Sequence, residues 1–279
     1  MKEMTIAEIQ KVNLEILKHI DSFCKEHHIQ YFLDSGTLIG AARHKGFIPW
    51  DDDMDIRMPR PDYERFIGEF ADTPTFKLYA PVKRNSFLSY ARVCEMKETY
   101  FKQHTPWTFE SPGVGVDILP LDAAPDNGEE FAKMAKRANR IIANIFKDRG
   151  ALIHRQNFRK DIYGFLKDVV HFIASKMRKI GFDFLIWNHI DQLENLRKKY
   201  PYGSTKHCFA CALRMSKSGY WLQEWFSGVV YLDFCGEKFP APIGYDERLF
   251  AEYGDWRTPP PENERDGHNR FQTMCWRNK

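Results

Sequence analysis

Residues 31–60, YFLDSGTLIGAARHKGFIPWDDDMDIRMPR, decide how the rest of the chain is read. A turn of small residues, Ser35-Gly36-Thr37, is followed by a basic segment, Arg43-His44-Lys45, then by Pro49-Trp50 and acids at Asp51, Asp52, Asp53 and Asp55. Apolar residues alternate with the last of these acids. On an extended strand Met54, Ile56 and Met58 share one face, and Asp53, Asp55 and Arg57 share the other. Two carboxylates on one strand face repel each other unless a cation lies between them. Hard oxygen ligands of this kind suit Mg²⁺ or Mn²⁺, ions that commonly also bind substrate phosphates. Asp51, Asp53 and Asp55 also have the 1-3-5 spacing of a calcium loop. That loop needs Gly at its sixth position and Glu at its twelfth, where this chain has Ile56 and Asp62, so the calcium reading is set aside.

Outward from this stretch, residues 5–28 read as a helix. Thr5 and Glu8 form a capping-box pair, and Ile6, Ile9, Leu14, Ile16, Leu17, Ile20 and Phe23 form an apolar stripe. Residues 31–34 would be a first strand delivering the Gly36-Thr37 turn, and a second helix would cover about 37–43. The free amides at such a helix start suit a phosphate, although a plain tight turn has the same signature. The Arg43-His44-Lys45 segment is either a solvated basic loop or supplies an arginine that could hold a phosphate bidentately. His44 reads as an ordinary surface residue. Trp50 offers a flat face for stacking on a base or for covering the core. Pro61 suits the start of a short helix reaching about residue 70. Strands are expected at 76–80 and 87–94, where Arg92 is either a phosphate or acceptor contact or an edge-strand charge. A further strand at 114–121 turns Val116 and Ile118 to the core and Asp117 away from it. Asp122 would follow that strand and order a loop.

Residues 129–148 and 158–200 are helical by pattern, with one stripe of Phe131, Met134, Ala138, Ile141, Ile142 and Ile145 and another of Leu185, Ile186, Ile190, Leu193 and Leu196. Arg155, Arg159, Lys160, Lys176, Arg178 and Lys179 give this region a basic surface, either a solvated face or one that docks on anionic lipid. Cys208 and Cys211 make a Cys-x-x-Cys without a persuasive second ligand pair, which argues against structural zinc. Tyr220, Trp221, Trp225 and Phe226 are core residues or include a cage for a quaternary ammonium head. Residues 246–253 form a short helix ending at Gly254, and Pro259-Pro260-Pro261 directs an extended tail bearing Arg265 and His268.

The chain has 279 residues, 43% hydrophobic and 28% charged, a globular composition long enough for a substantial core. A net charge of +3 is too small to indicate a nucleic-acid partner. The start does not read as a signal peptide, and no apolar run is long enough to span a bilayer. The expected location is cytoplasmic, at the inner face of the membrane if the acceptor is lipid-linked, with the cysteines reduced.

The pattern Gly36-Thr37-Leu38-Ile39-Gly40, then Arg43, then Ile48-Pro49-Trp50-Asp51-Asp52-Asp53-Met54-Asp55-Ile56, resembles the LicD family, bacterial phosphocholine transferases related to fukutin and fukutin-related protein. Tyr253-Gly254-Asp255-Trp256, Pro259-Pro260, Arg265 and His268 are similar to that family's C-terminal signature. The likeness spans most of the chain and is weakest over about 129–200. It implies an α/β fold, a nucleotidyltransferase-type mixed sheet with flanking helices and a helical insertion, in a single catalytic domain over 1–279. It also implies that Asp117 is the third acid of a catalytic, metal-binding set with Asp53 and Asp55, holding Mg²⁺ or Mn²⁺. Gly36, Thr37, Arg43, Trp50, Arg92, Arg265 and His268 would then line the substrates. The implied reaction moves phosphocholine from CDP-choline to a hydroxyl of a cell-surface glycan and releases CMP. An Asp-x-Asp glycosyltransferase using a nucleotide sugar, and a non-catalytic glycan- or metal-binding protein, are the competing classes.

Overall fold

A computed structural model describes residues 2–102, 112–150, 184–210, 219–265 and 273–277. The first helix, α1 (Ile6–Glu26), starts at Thr5, whose hydroxyl accepts from Glu8 N while Glu8 reaches back to the Thr5 amide, the expected capping box. Its apolar stripe buries Ile9, Ile16, Leu17, Ile20 and Cys24 in the main core. The first strand is short, β1 (Phe32–Leu33). It leads into α2 (Ser35–Ile39), which continues as a π-helical turn over Gly40–His44 rather than as the regular helix expected there.

The acid segment feeds β2 (Asp55–Pro59), and α3 (Arg60–Glu69) follows with Pro61 in its first turn. Next come β3 (Phe76–Tyr79), β4 (Ala91–Glu95), β5 (Thr99–Phe101) and the long β6 (Gly115–Ala124). The helical region supplies α4 (Gly128–Gly150) and α5 (Phe184–Arg197). The remaining elements are β7 (His207–Ala210), β8 (Tyr220–Leu222), the hairpin β9 (Val229–Phe234) and β10 (Glu237–Pro242), α6 (Tyr245–Tyr253), and β11 (Met274–Trp276), which pairs with β5.

The main sheet runs β1-β2-β6-β4-β3, with β7 and β8 continuing from β6. It is mixed: β2 lies parallel to β6, and the other pairs are antiparallel. Strand β6 is shared along its length. Its first half pairs with β4, its second half with β7, and β2 lies along its other side. Met54, Ile56, Met58, Val116 and Ile118 are fully buried beneath the sheet with α1, which leaves the alternate positions for the opposite face. The stripe expected on α4 packs with Ile186, Ile190, Leu193 and Leu196 of α5 in a second cluster that includes Phe87 and Phe209.

Two expectations are corrected here. Arg92 is not an edge charge, because β4 lies between β3 and β6. Asp122 lies inside β6, not after it, and its buried carboxylate accepts from Arg60 Nε at 2.5 Å and Nη2 at 2.9 Å. Arg60 also donates to Glu194, which pairs with Arg197 at 2.8 Å, so buried charges tie α3 and β6 to α5. Among the described residues no helix is long and apolar enough to cross a membrane. The basic residues named between 155 and 179 lie outside the described residues.

Candidate active site

The parallel register of β2 and β6 sets Asp55 directly opposite Asp117, and the antiparallel register of β4 sets Arg92 on the other side of Asp117. Asp55, Asp117 and Arg92 therefore form one row across three strands. Met54 extends the pairing, since its carbonyl accepts from Asp117 N at 2.9 Å, and this brings Asp53 to the edge of the row. All three acids keep partial contact with solvent.

Their electrostatics follow from that crowding. Burial, then the charges of Asp53, Asp117 and Asp34, hold the Asp55 carboxyl well above the usual carboxylate range, against a smaller pull from Arg57. Burial also raises Asp117, in opposition to Arg92 and to a hydrogen bond from Tyr90. Arg92 Nη1 stands 3.3 Å from Asp117 Oδ1, yet that oxygen is buried and accepts no hydrogen bond among the described residues. Gly115 makes the arrangement possible, because a Cβ there would come within 2.7 Å of Arg92 Nε. Among the described residues no group of three or more His, Cys, Asp or Glu side chains is arranged, as it stands, to hold a metal ion.

The Gly36-Thr37 turn is joined to this row through the backbone of Asp55. Thr37 Oγ1 accepts from Asp55 N at 2.9 Å, and Asp34 N donates to the Asp55 carbonyl at 3.1 Å. Gly36 faces the Asp51 carboxylate, whose Oδ2 would lie 2.5 Å from a Cβ at that position. Gly36 and Thr37, expected at the donor phosphates, are thus engaged by the acid segment itself.

Arg265, more than 200 residues further along the chain, comes together with Arg43 and Trp50. The Arg265 guanidinium lies over the Trp50 ring at 5.1 Å, and the His44 ring stands edge-on to Trp50 at 6.5 Å. Arg43 donates to the Trp256 carbonyl at 2.6 Å and to His44 Nε2 at 2.9 Å. Burial, and then the positive charge of Arg265, lower the Arg43 pKa. Arg265 also donates to the Pro260 carbonyl at 2.9 Å and stands 3.7 Å from Glu262. Trp50 also packs partly against the main core, so both of its expected uses are open to it. His268 lies outside the described residues.

Sequence reasoning missed the charges behind the row. The buried Asp34 carboxylate pairs with both Arg57 and Arg248, and Arg248 also reaches Glu252 at 2.9 Å. Burial opposes the Asp34 charge, but the two arginines still hold its pKa below the ordinary value. Both guanidiniums lie over Trp221, at 5.1 Å for Arg57 and 4.6 Å for Arg248. Trp221 and Phe226 are therefore buried core residues and not a ligand cage. Tyr220 is stacked between His207 and Phe131. The alternation that put Arg57 on the same face as Asp53 and Asp55 was the one available signal for this layer.

Residues 28–146 match the family described as LicD/FKTN/FKRP, nucleotidyltransferase domain. The chain is 31% identical over 278 residues to the lipopolysaccharide cholinephosphotransferase LicD of Haemophilus influenzae, covering 96% of this chain and 97% of that protein. Shorter stretches match uncharacterised proteins of Rickettsia typhi and Rickettsia prowazekii. The first is 37% identical over 67 residues (24% of this chain, 22% of that protein), and the second 42% over 48 residues (17% and 18%).

Proposed function

Because this chain belongs to the LicD family, we propose that it moves phosphocholine from a CDP-linked donor, CDP-choline, onto a hydroxyl of a cell-surface glycan such as lipopolysaccharide, with CMP leaving. The observation that carries the reading is the cross-strand row of Asp55, Asp117 and Arg92 with Asp53 beside it. It stands in a chain related over 96% of its length to a cholinephosphotransferase.

Asp53, Asp55 and Asp117 fit a divalent cation such as Mg²⁺ or Mn²⁺. Register places Asp55 opposite Asp117 with Asp53 two residues away, and a buried Asp117 oxygen takes no hydrogen bond among the described residues. A closed protein cage is not required, since Mg²⁺ keeps several waters and binds through one or two carboxylates plus substrate phosphates. When bound, the ion neutralises charge that builds on the transferring phosphate.

The chain's own groups supply the rest. Asp117, in the row between Asp55 and Arg92, is the acid we assign to take the acceptor hydroxyl's proton. The hydroxyl oxygen bonds to the phosphorus that carries choline. The bond from that phosphorus to the bridging oxygen breaks, and CMP departs with that oxygen. Arg92 limits the rise in the Asp117 pKa and keeps the carboxylate available as a base. Arg43 and Arg265 receive donor phosphate, and Trp50 beneath Arg265 flanks the nucleotide. We place the reaction at the cytoplasmic face of the membrane, where a lipid-linked glycan would be presented.

The test is purified protein with Mg²⁺, CDP-choline and lipopolysaccharide lacking phosphocholine. The expected result is CMP and choline-bearing glycan in equal amounts, both lost on chelation. Release of a nucleoside diphosphate from a nucleotide sugar, with no CMP from CDP-choline, CDP-ribitol or CDP-glycerol, would turn the assignment to glycosyl transfer.

A further inference from the structure

We propose that Arg248, acting through Asp34, is a positioning residue that fixes the site acid Asp55 against the tip of α2. The inference rests on the reading of Asp55 as a site acid.

Asp34 is the N-cap residue of α2, with extended φ −138° and ψ 167°, yet its side chain makes no capping hydrogen bond. An aspartate at this position ordinarily accepts from the second or third helical amide. Here the carboxylate is turned to Arg57 and Arg248, and from its own turn it accepts from Ser35 Oγ at 3.3 Å. The backbone of Asp34 faces the site, donating to the Asp55 carbonyl at 3.1 Å, while three residues later Thr37 Oγ1 takes the Asp55 amide at 2.9 Å. Both backbone polar groups of Asp55 are therefore held by the 34–37 turn, and the side chain of Asp34 anchors that turn from behind.

Arg248 supplies the anchor from α6, far away in sequence. It is fully buried, and its guanidinium carbon lies over the Trp221 ring, 4.6 Å from the centroid. Its Nε and Nη1 take no hydrogen-bond acceptor among the described residues, so charge and stacking hold it rather than a hydrogen-bonded fork. Stability alone does not account for such a residue. Desolvating two charges usually offsets their attraction, and a hydrophobic side chain of similar volume often stabilises as well. Leu249, fully buried in the main core, already fastens α6. What a hydrophobic replacement would not supply is a fixed orientation for Asp34, and with it for Asp55.

The test uses Arg248→Lys, which keeps the charge but loses the planar face, with Asp34→Asn as the second variant should the first not fold. Three measurements are made: amide hydrogen exchange of the metal-free full chain, Mn²⁺ binding by electron paramagnetic resonance, and steady-state transfer from CDP-choline. In Arg248→Lys, the amides of Asp34, Leu38 and Asp55 should exchange at least about tenfold faster, while those of the β9–β10 hairpin stay within about twofold. Mn²⁺ should bind at least about fivefold more weakly, and kcat should fall at least about tenfold with KM for CDP-choline within about threefold. Asp34→Asn should reproduce the pattern, and the double variant should be no worse than either single change. A folded Arg248→Lys or Asp34→Asn with unchanged Asp55 exchange and Mn²⁺ affinity overturns the proposal. Exchange that quickens equally in the hairpin also overturns it, because that is general destabilisation. If the wild-type chain turns over no CDP-linked donor, the phosphotransfer reading fails, while exchange and Mn²⁺ binding still decide the role of Arg248.

Discussion

Replacing Asp55 by Asn should make the metal-free protein more stable while removing its activity. Asp55 stands opposite Asp117 on a neighbouring strand, with Asp53 two residues away. Two unit charges about 5 Å apart at an effective dielectric of ~20 repel by about 3 kcal/mol. The attraction of Arg57 offsets part of this, which leaves a gain of about 1–3 kcal/mol when Asn replaces the ionised acid. For a chain of this size that corresponds to a rise in Tm of about 2–6 °C. The pH dependence has a definite sign. A carboxyl whose folded pKa is raised contributes fully to stability below its unfolded pKa of about 3.9, and that contribution is lost as pH rises towards the folded value. The advantage of Asp55→Asn should therefore be near zero at about pH 4 and below, grow as pH rises through the mildly acidic range, and level off once pH passes the folded pKa. Differential scanning fluorimetry across that range, with and without Mg²⁺, measures it. In wild type Mg²⁺ should raise Tm, more at high pH than at low; in Asp55→Asn the Mg²⁺ response should be absent. A variant that is less stable than wild type at pH 8 without metal, or that keeps the full Mg²⁺ response, would refute the reasoning.

Asp117→Asn should lower kcat by about 10²–10⁴-fold and also weaken donor binding in the presence of Mg²⁺, because Asp117 is assigned both to the proton and to the cation, while metal-free donor binding changes little; isothermal titration with and without Mg²⁺ alongside turnover separates the two roles. Arg265→Ala and Trp50→Ala should raise KM for CDP-choline more than they lower kcat, and unchanged KM in both would remove this cluster from the donor site. Arg60→Met leaves Asp122 and Glu194 without their shared cation, so stability should fall by about 3–5 kcal/mol in thermal or denaturant unfolding, with turnover per folded molecule retained.

The local parts of this fold were legible because their signals are local. The Thr5–Glu8 capping box, the stripes of α1 and α4, and the alternation of Met54, Ile56 and Met58 with acids each depend on a few neighbouring residues. Asp117 was found through its strand pattern and a family likeness, and the register of β2 with β6 brings it to Asp55. Pairings across the chain were not legible. Nothing in residues 31–60 shows that Asp34 meets an arginine at 248, and nothing around Trp221 shows that two guanidiniums will lie on it. An aromatic run reads alike whether it caps a buried charge network or lines a ligand cage, because apolar area and a π face suit both. Asp122 was misplaced for a related reason. An acid at the end of an apolar run signals a loop unless its partner, here Arg60 from α3, is known.

The topology explains why the acids can be this close at all. A strand buried on one face and paired on both sides has fixed side-chain directions, so Asp55 and Asp117 cannot rotate away from each other as two loop residues would. Repulsion between them is therefore retained in the folded state. It is tolerated because the apolar underside of the same strands, with Met54, Ile56, Val116 and Ile118 fully buried, favours this register strongly. A one-residue slip of β2 would relieve the acids but turn its methionines and isoleucine to the polar face. The packing that stabilises the sheet thus also forces a surplus of negative charge onto its opposite face. Arg92 is the cation that the neighbouring strand places in the row, and it offsets only part of that surplus. A divalent ion with a diphosphate is the kind of ligand that such a surplus would bind and orient.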